Sequence, residues 1–219
     1  MEVPTNGINP ESTGPSMSWE MAVPRFTIFN TPGVGFLMRA IGFLYMRIVG
    51  WRPSGAPPDL PKFVIIGAPH TSNWDLPLLI AIASHFRLDV RWMGKDSLFK
   101  GVLGPIMRFL GGISVDRKRG NSVVEQTIEH FSRQAVLKIV VAPEGTRGNA
   151  GRWKAGFYNI AVGANVPVAC SYIDYRTKRG GFGPTFWLTG DREADMARFA
   201  EFYGAMRGLY PDQTSPVRL

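Results

Sequence analysis

From Lys62 onward the chain alternates short, almost wholly apolar runs with longer segments of mixed polarity, and few architectures accommodate that order. KFVIIGA (62–68) and LKIVVAP (137–143) read as buried strands, the second the clearer of the two. VRWMG (90–94), ISVD (113–116), VPVACSYIDY (166–175) and PTFWLTG (184–190) read as further strands. Helices are expected from about Trp74 to His85, over 121–134 with Asn121 as a cap, across FYNIAVGAN (157–165), and over 191–210. DSLFKGVLGPIMRFLGG (96–112) reads as a helix broken at Gly104-Pro105. The alternation predicts an α/β fold with a mixed, largely parallel central sheet flanked by helices.

The region before Lys62 is different in kind. Residues 1–30, rich in Pro, Ser, Thr and Gly, read as a loose arm and lack the basic start and apolar core of a signal peptide. Residues 31–52 contain the most lipophilic stretch, Gly33 to Trp51, about 28 Å long as a helix and so close to the thickness of a bilayer core. It also holds Arg39 and Arg47, each costing roughly 2.5–3.5 kcal/mol at the centre of a span. Val34, Leu37, Ile41, Leu44 and Ile48 fall on one helix face, with both arginines opposite. An amphipathic helix lying in a membrane interface fits better than a span, and a helix packed on the core is the alternative. A Pro-rich connection, 51–61, leads to a domain expected over 60–215.

With 45% hydrophobic and 19% charged residues the chain has a globular composition. Its single cysteine, Cys170, excludes an internal disulfide, and three histidines with one cysteine argue against a structural zinc site. The net charge of +8 suits nucleic acid, an anionic membrane surface or an anionic substrate.

In open α/β sheets ligands bind beyond the carboxyl ends of strands, and three polar clusters stand at expected strand ends. In PHTSNWD, Ser72-x-x-Asp75 resembles a capping box, and Asp75 at the helix start also suits a carboxylate that holds one ring nitrogen of His70, leaving the other as a general base. In VDRKRG, Arg117 comes directly off a strand, either as part of a solvated basic turn or as a phosphate ligand. In PEGTRGNAGRWKAG, a plain turn competes with an anion-binding loop built from main-chain N–H groups near Gly145, with Arg147 and Lys154.

Taken together and in this order, these residues resemble the glycerophospholipid acyltransferase family, whose best-known members are lysophosphatidate acyltransferases. His70 and Asp75 stand in the H-x-x-x-x-D motif, GGISVDR (111–117) where the family has G-x-x-F-I-x-R, PEGTR (143–147) on the F-P-E-G-T-R core, and VPVAC (166–170) in the place of a V-P-hydrophobic-x-P pattern. The chain departs from the family at Pro69, Ser114, Ala142, Gly148 and Cys170.

The resemblance implies that His70 deprotonates an acceptor hydroxyl, which attacks the thioester of acyl-CoA or acyl carrier protein directly. Asp75 would orient His70, Arg117 would hold the acceptor's phosphate, and Glu144, Gly145, Thr146 and Arg147 would shape the acceptor site, with Lys154 beside them. No acyl-enzyme, metal or redox cofactor is implied, and Cys170 is expected to be a core residue. A lysophospholipid acceptor implies a membrane-surface protein on the cytoplasmic face, with 33–51 and the apolar side of LFKGVLGPIMRFL dipping into the lipid and Arg39, Arg47, Arg52, Lys100 and Arg108 meeting lipid phosphates. Two other readings stand beside this one: the same chemistry on another lipid or glycolipid, and a non-catalytic binder of anionic lipid. No nucleic-acid-binding motif is present in the sequence.

Overall fold

A computed structural model describes residues 23–115 and 120–219, giving the backbone alone for residues 120–122. Over that span the chain runs α1 (Val34–Val49), β1 (Arg52–Ser54), β2 (Lys62–Ala68), α2 (Asp75–His85), β3 (Arg91–Lys95), α3 (Leu103–Phe109), β4 (Gly112–Val115), α4 (Gly120–Arg133), β5 (Leu137–Val141), α5 (Gly156–Ala164), β6 (Val168–Asp174), β7 (Arg179–Phe186) and α6 (Arg192–Tyr203). The strands form one sheet in the order β1-β7-β6-β2-β5-β3-β4. Neighbours are parallel except β6 and β7, so the sheet is mixed and largely parallel, as expected.

The unbroken apolarity of β2 follows from its central place, because both of its faces are covered. Val64, Ile66 and Ala68 pack with Phe131 of α4, Phe157 and Ile160 of α5, and Phe199 of α6. Phe63 and Ile65 point the other way and pack with Ala83 of α2, Leu88, Val90, Trp92 and Phe182. Each such side chain, fully buried, stabilises the fold by roughly 1.5–3 kcal/mol. Since β2, β3, β4, β5 and β6 all run in one direction, their carboxyl ends share one edge of the sheet.

Several segments depart from the sequence expectation. Arg52–Ser54, read as part of a connection, is the edge strand β1, where Pro53 is tolerated because an edge leaves one side of the ladder unpaired. β7 begins at Arg179 and ends at Phe186, not across 184–190. Its glycines resemble a turn in sequence, but Gly180 and Gly183 sit where a Cβ would strike Ile82 of α2 and Phe202 of α6. The break in 96–112 falls at Gly101 (φ +59°), between a 3₁₀ turn at Asp96–Phe99 and α3. Gly104-Pro105 lies inside the first turn of α3, where proline's missing N–H is harmless. The final helix stops at Tyr203, and the chain beyond it crosses toward the end of β2.

α1 lies outside α2. It docks through Met46 and Gly42, with Tyr45 and Val49 half-buried against Leu78, Ala81 and Ile82. The face picked out by spacing points away from the protein: Leu37 is 56% exposed, Ile41 49%, Leu44 58% and Ile48 74%, joined by Phe36 and Phe43. Among the described residues no helix is long and apolar enough to cross a membrane.

Candidate active site

β2 delivers the chain through a cis Ala68–Pro69 bond to His70, and α2 begins five residues later at Asp75. The Asp75 carboxylate turns back over the loop. Its Oδ2 accepts from the backbone N–H of Thr71 and of Ser72, both at 3.0 Å, and meets Nδ1 of His70 at 2.9 Å. The helix-start and dyad readings are therefore one geometry, in which a single oxygen closes the loop and aims the ring. The Ser72 hydroxyl does not form the expected box and instead accepts from the N–H of Trp74 at 3.1 Å. With a carboxylate as partner, Nδ1 is the nitrogen that carries the proton, and Nε2 presents its lone pair. The His70 side chain is 32% exposed and that of Asp75 6%, so the imidazole is accessible while the carboxylate is not.

The other Asp75 oxygen, Oδ1, accepts from the hydroxyl of Tyr175 at 2.8 Å. Burial, reinforced by the carboxylate, pushes the ionisation of that phenol far above the usual tyrosine range. Tyr175 stands 100 residues from Asp75 in sequence, and no local pattern marks it.

Glu144 leaves the end of β5, beside β2 in the sheet, and is completely buried. Its Oε1 accepts from the backbone N–H of His70 at 2.7 Å and its Oε2 from that of Ser215 at 2.8 Å. Burial raises its pKa above the usual carboxylate range, against the pull of those two N–H groups. Glu144 thus lies beneath the loop and holds its backbone at His70, buried away from the surface.

Gly145 takes φ +67°, and the Lys154 side chain lies across it, so that an added Cβ would come within 2.8 Å of Lys154 Cδ. Lys154 N–H donates to the Pro143 carbonyl at 2.8 Å, folding the two ends of the PEGTR loop together. The Thr146 hydroxyl accepts from Gly148 N–H at 3.3 Å within the turn, while Arg147 and Lys154 are exposed. Arg117 lies outside the described residues; β4, which leads to it, ends at Val115 on the same sheet edge.

Sequence reasoning also missed the C-terminal segment. Tyr210 N–H donates to the Thr71 hydroxyl at 3.2 Å, and Ser215 joins Glu144 to Ala150, whose N–H its hydroxyl accepts at 3.0 Å. Cys170 is fully buried in β6, its thiol pushed up to about 12 by burial, which leaves it no nucleophile at neutral pH. Among the described residues no cluster of His, Cys, Asp and Glu has the makings of a metal site.

The sequence pattern of the family described as Acyltransferase matches residues 58–174, more than half of the chain, including both loops. The fold is similar to the crystal structure of the 1-acyl-sn-glycerophosphate (LPA) acyltransferase, PlsC, from Thermotoga maritima, with a TM-score of 0.55 over 80% of this chain and 81% of that one. The two sequences are 19% identical, so the likeness speaks for the fold. No curated protein matches the chain in sequence.

Proposed function

Since the chain belongs to the acyltransferase family, we propose that it transfers a fatty acyl group from acyl-CoA or acyl carrier protein to the hydroxyl of a lysophosphatidate-like acceptor. The observation that carries this reading is the half-exposed His70 ring held by buried Asp75 at 2.9 Å, at the sheet edge where α/β folds bind ligands. Nε2 takes the acceptor's proton as the oxygen attacks the thioester carbonyl. The tetrahedral adduct then collapses, forming the ester, and the leaving thiolate takes the proton back from the imidazolium. Asp75 keeps Nδ1 protonated and steadies the positive charge in between. Arg147 and Lys154, exposed on the neighbouring loop, supply the fixed charge that suits a phosphate, and Arg117 is assigned the same role.

The reading extends to where the protein works. Lipid acceptors and long acyl chains reside in bilayers, and α1 shows its apolar face outward. Val102, Leu103 and Ile106 on and before α3 are exposed as well. The turn entering α1 is tied to the end of α3 by Ile28 N–H donating to the Phe109 carbonyl at 2.9 Å. Such a surface rests about 5–10 Å deep in the headgroup boundary. The test is transfer of a labelled acyl group from CoA and from carrier protein to a panel of lipid alcohols. Phosphate-bearing lysolipids are expected to react fastest; transfer undiminished by His70→Ala would remove the mechanism, and a preference for neutral glycolipids would move the acceptor class.

A further inference from the structure

The Asp75 carboxylate is loaded unevenly. Oδ2 receives three donors, all from its own loop, whereas among the described residues the Tyr175 hydroxyl is the one group that donates to Oδ1. We propose that Tyr175 is a positioning residue, whose hydroxyl fixes the plane and the charge of the carboxylate that aims His70. The inference rests on the reading of His70 as the base.

Tyr175 reaches Asp75 from a rigid platform. Its backbone N–H donates to the Arg207 carbonyl at 2.9 Å. Its ring meets the Trp51 ring edge-on, with centroids 4.9 Å apart, and Trp51 is itself buried. The preceding Asp174 ties the turn by accepting from the Thr177 hydroxyl at 2.6 Å and from the N–H of Arg176 and Arg207. The Tyr175 ring also packs against the cluster of Met46, Trp51, Leu78, Ala81 and Ile82, and its hydroxyl reaches past that cluster to the carboxylate. With its ionisation pushed far up by burial, the phenol remains a donor throughout the neutral range. Other titratable groups around the site are Glu144, from the turn after β5, Arg147 and Lys154 on the loop that follows it, and Tyr45 of α1, which faces Tyr175.

A donor on Oδ1 draws charge away from the oxygen that faces Nδ1. Removing it leaves the carboxylate freer to rotate and more negative toward the ring, which favours the imidazolium. Tyr175→Phe is therefore expected to lower kcat about tenfold with KM within about twofold, and to move the acid limb of the kcat/KM profile to higher pH. Replacement of Tyr175 by 3-fluorotyrosine, a stronger donor of nearly the same shape, should move that limb the opposite way, and it keeps the question open to test if the phenylalanine variant folds poorly. In an Asp75→Asn background Tyr175→Phe should cause no further loss, because its action passes through the carboxylate.

The downfield proton resonance of His70 Nδ1, assigned by its absence in His70→Gln, reads the same contact without turnover and should shift in both Tyr175 variants. An unmoved pH limb and an unmoved resonance, or full additivity with Asp75→Asn, would overturn the proposal. A wild-type chain that acylates none of the acceptors would instead sink the proposed function, and the resonance would still decide the role of Tyr175.

Discussion

Two neighbouring parallel strands end alike and continue differently. β2 runs into Ala68-Pro69-His70 and β5 into Ala142-Pro143-Glu144, side by side at one edge of the sheet. In the first loop a buried acid, Asp75, grips the half-exposed ring of His70. In the second a buried acid, Glu144, grips the backbone of that same histidine and leaves the exposed surface to Thr146, Arg147 and Lys154. One carboxylate orients the His70 ring and the other holds its backbone. What a buried acid does is decided by whether its partner is a side chain or a main-chain N–H.

The contrast can be broken most forcefully at His70. His70→Ala should lower the transfer rate about 10³-fold, within the range that a positioned general base contributes, with little change in thermal unfolding. A large loss of stability with modest loss of rate would reverse the roles assigned to the two loops. Glu144→Gln should show the opposite balance. Its amide sets an N–H₂ group against the N–H of either His70 or Ser215, which is expected to cost about 1–3 kcal/mol in denaturant unfolding.

The pH dependence of stability sharpens this second comparison. Burial raises Glu144, so the folded protein keeps that proton to higher pH than the unfolded chain does. Its contribution to stability is greatest below the ordinary carboxylate range and declines as pH rises through the folded value. Glu144→Gln should remove that decline, and an unchanged slope of unfolding midpoint against pH would show that Glu144 does not carry it.

Smaller effects belong to the outer part of the second loop. Arg147→Ala should raise KM about tenfold for a phosphate-bearing acceptor and leave a neutral alcohol nearly unaffected. Equal effects on both acceptors would take Arg147 out of headgroup binding. Gly145→Ala forces a left-handed backbone on a residue with a Cβ and pushes against Lys154, and should cost about 1–2 kcal/mol of stability. Thr146→Ala, which removes one exposed turn contact, should stay within about 0.5 kcal/mol.

The parts legible in the sequence are those whose cause is local. β2 and β5 are apolar because both sheet faces are covered, and His70 and Asp75 lie close enough in the chain for a loop to join them. Tyr175 and Ser215 serve the same site from 100 and 71 residues away, through contacts that only the folded sheet brings about. β7 was obscured because its glycines answer to Ile82 and Phe202, which lie far off in sequence, and so imitate a turn. For α1, periodicity picked out one apolar face, while Gly42 and Met46, on another side, are the residues that dock.

That docking has a consequence for reach. A methyl at Gly42 would sit 3.2 Å from the Ala81 Cα, so at this point α1 and α2 touch backbone to backbone, flanked by the packed side chains of Met46, Leu78 and Ile82. Asp75 is the first residue of α2, and its grip carries His70. If α1 rests on a bilayer, the imidazole hangs at a stand-off dictated by the protein and not by the lipid. The two helices then act as a depth gauge, selecting which hydroxyls along an acceptor molecule come level with Nε2.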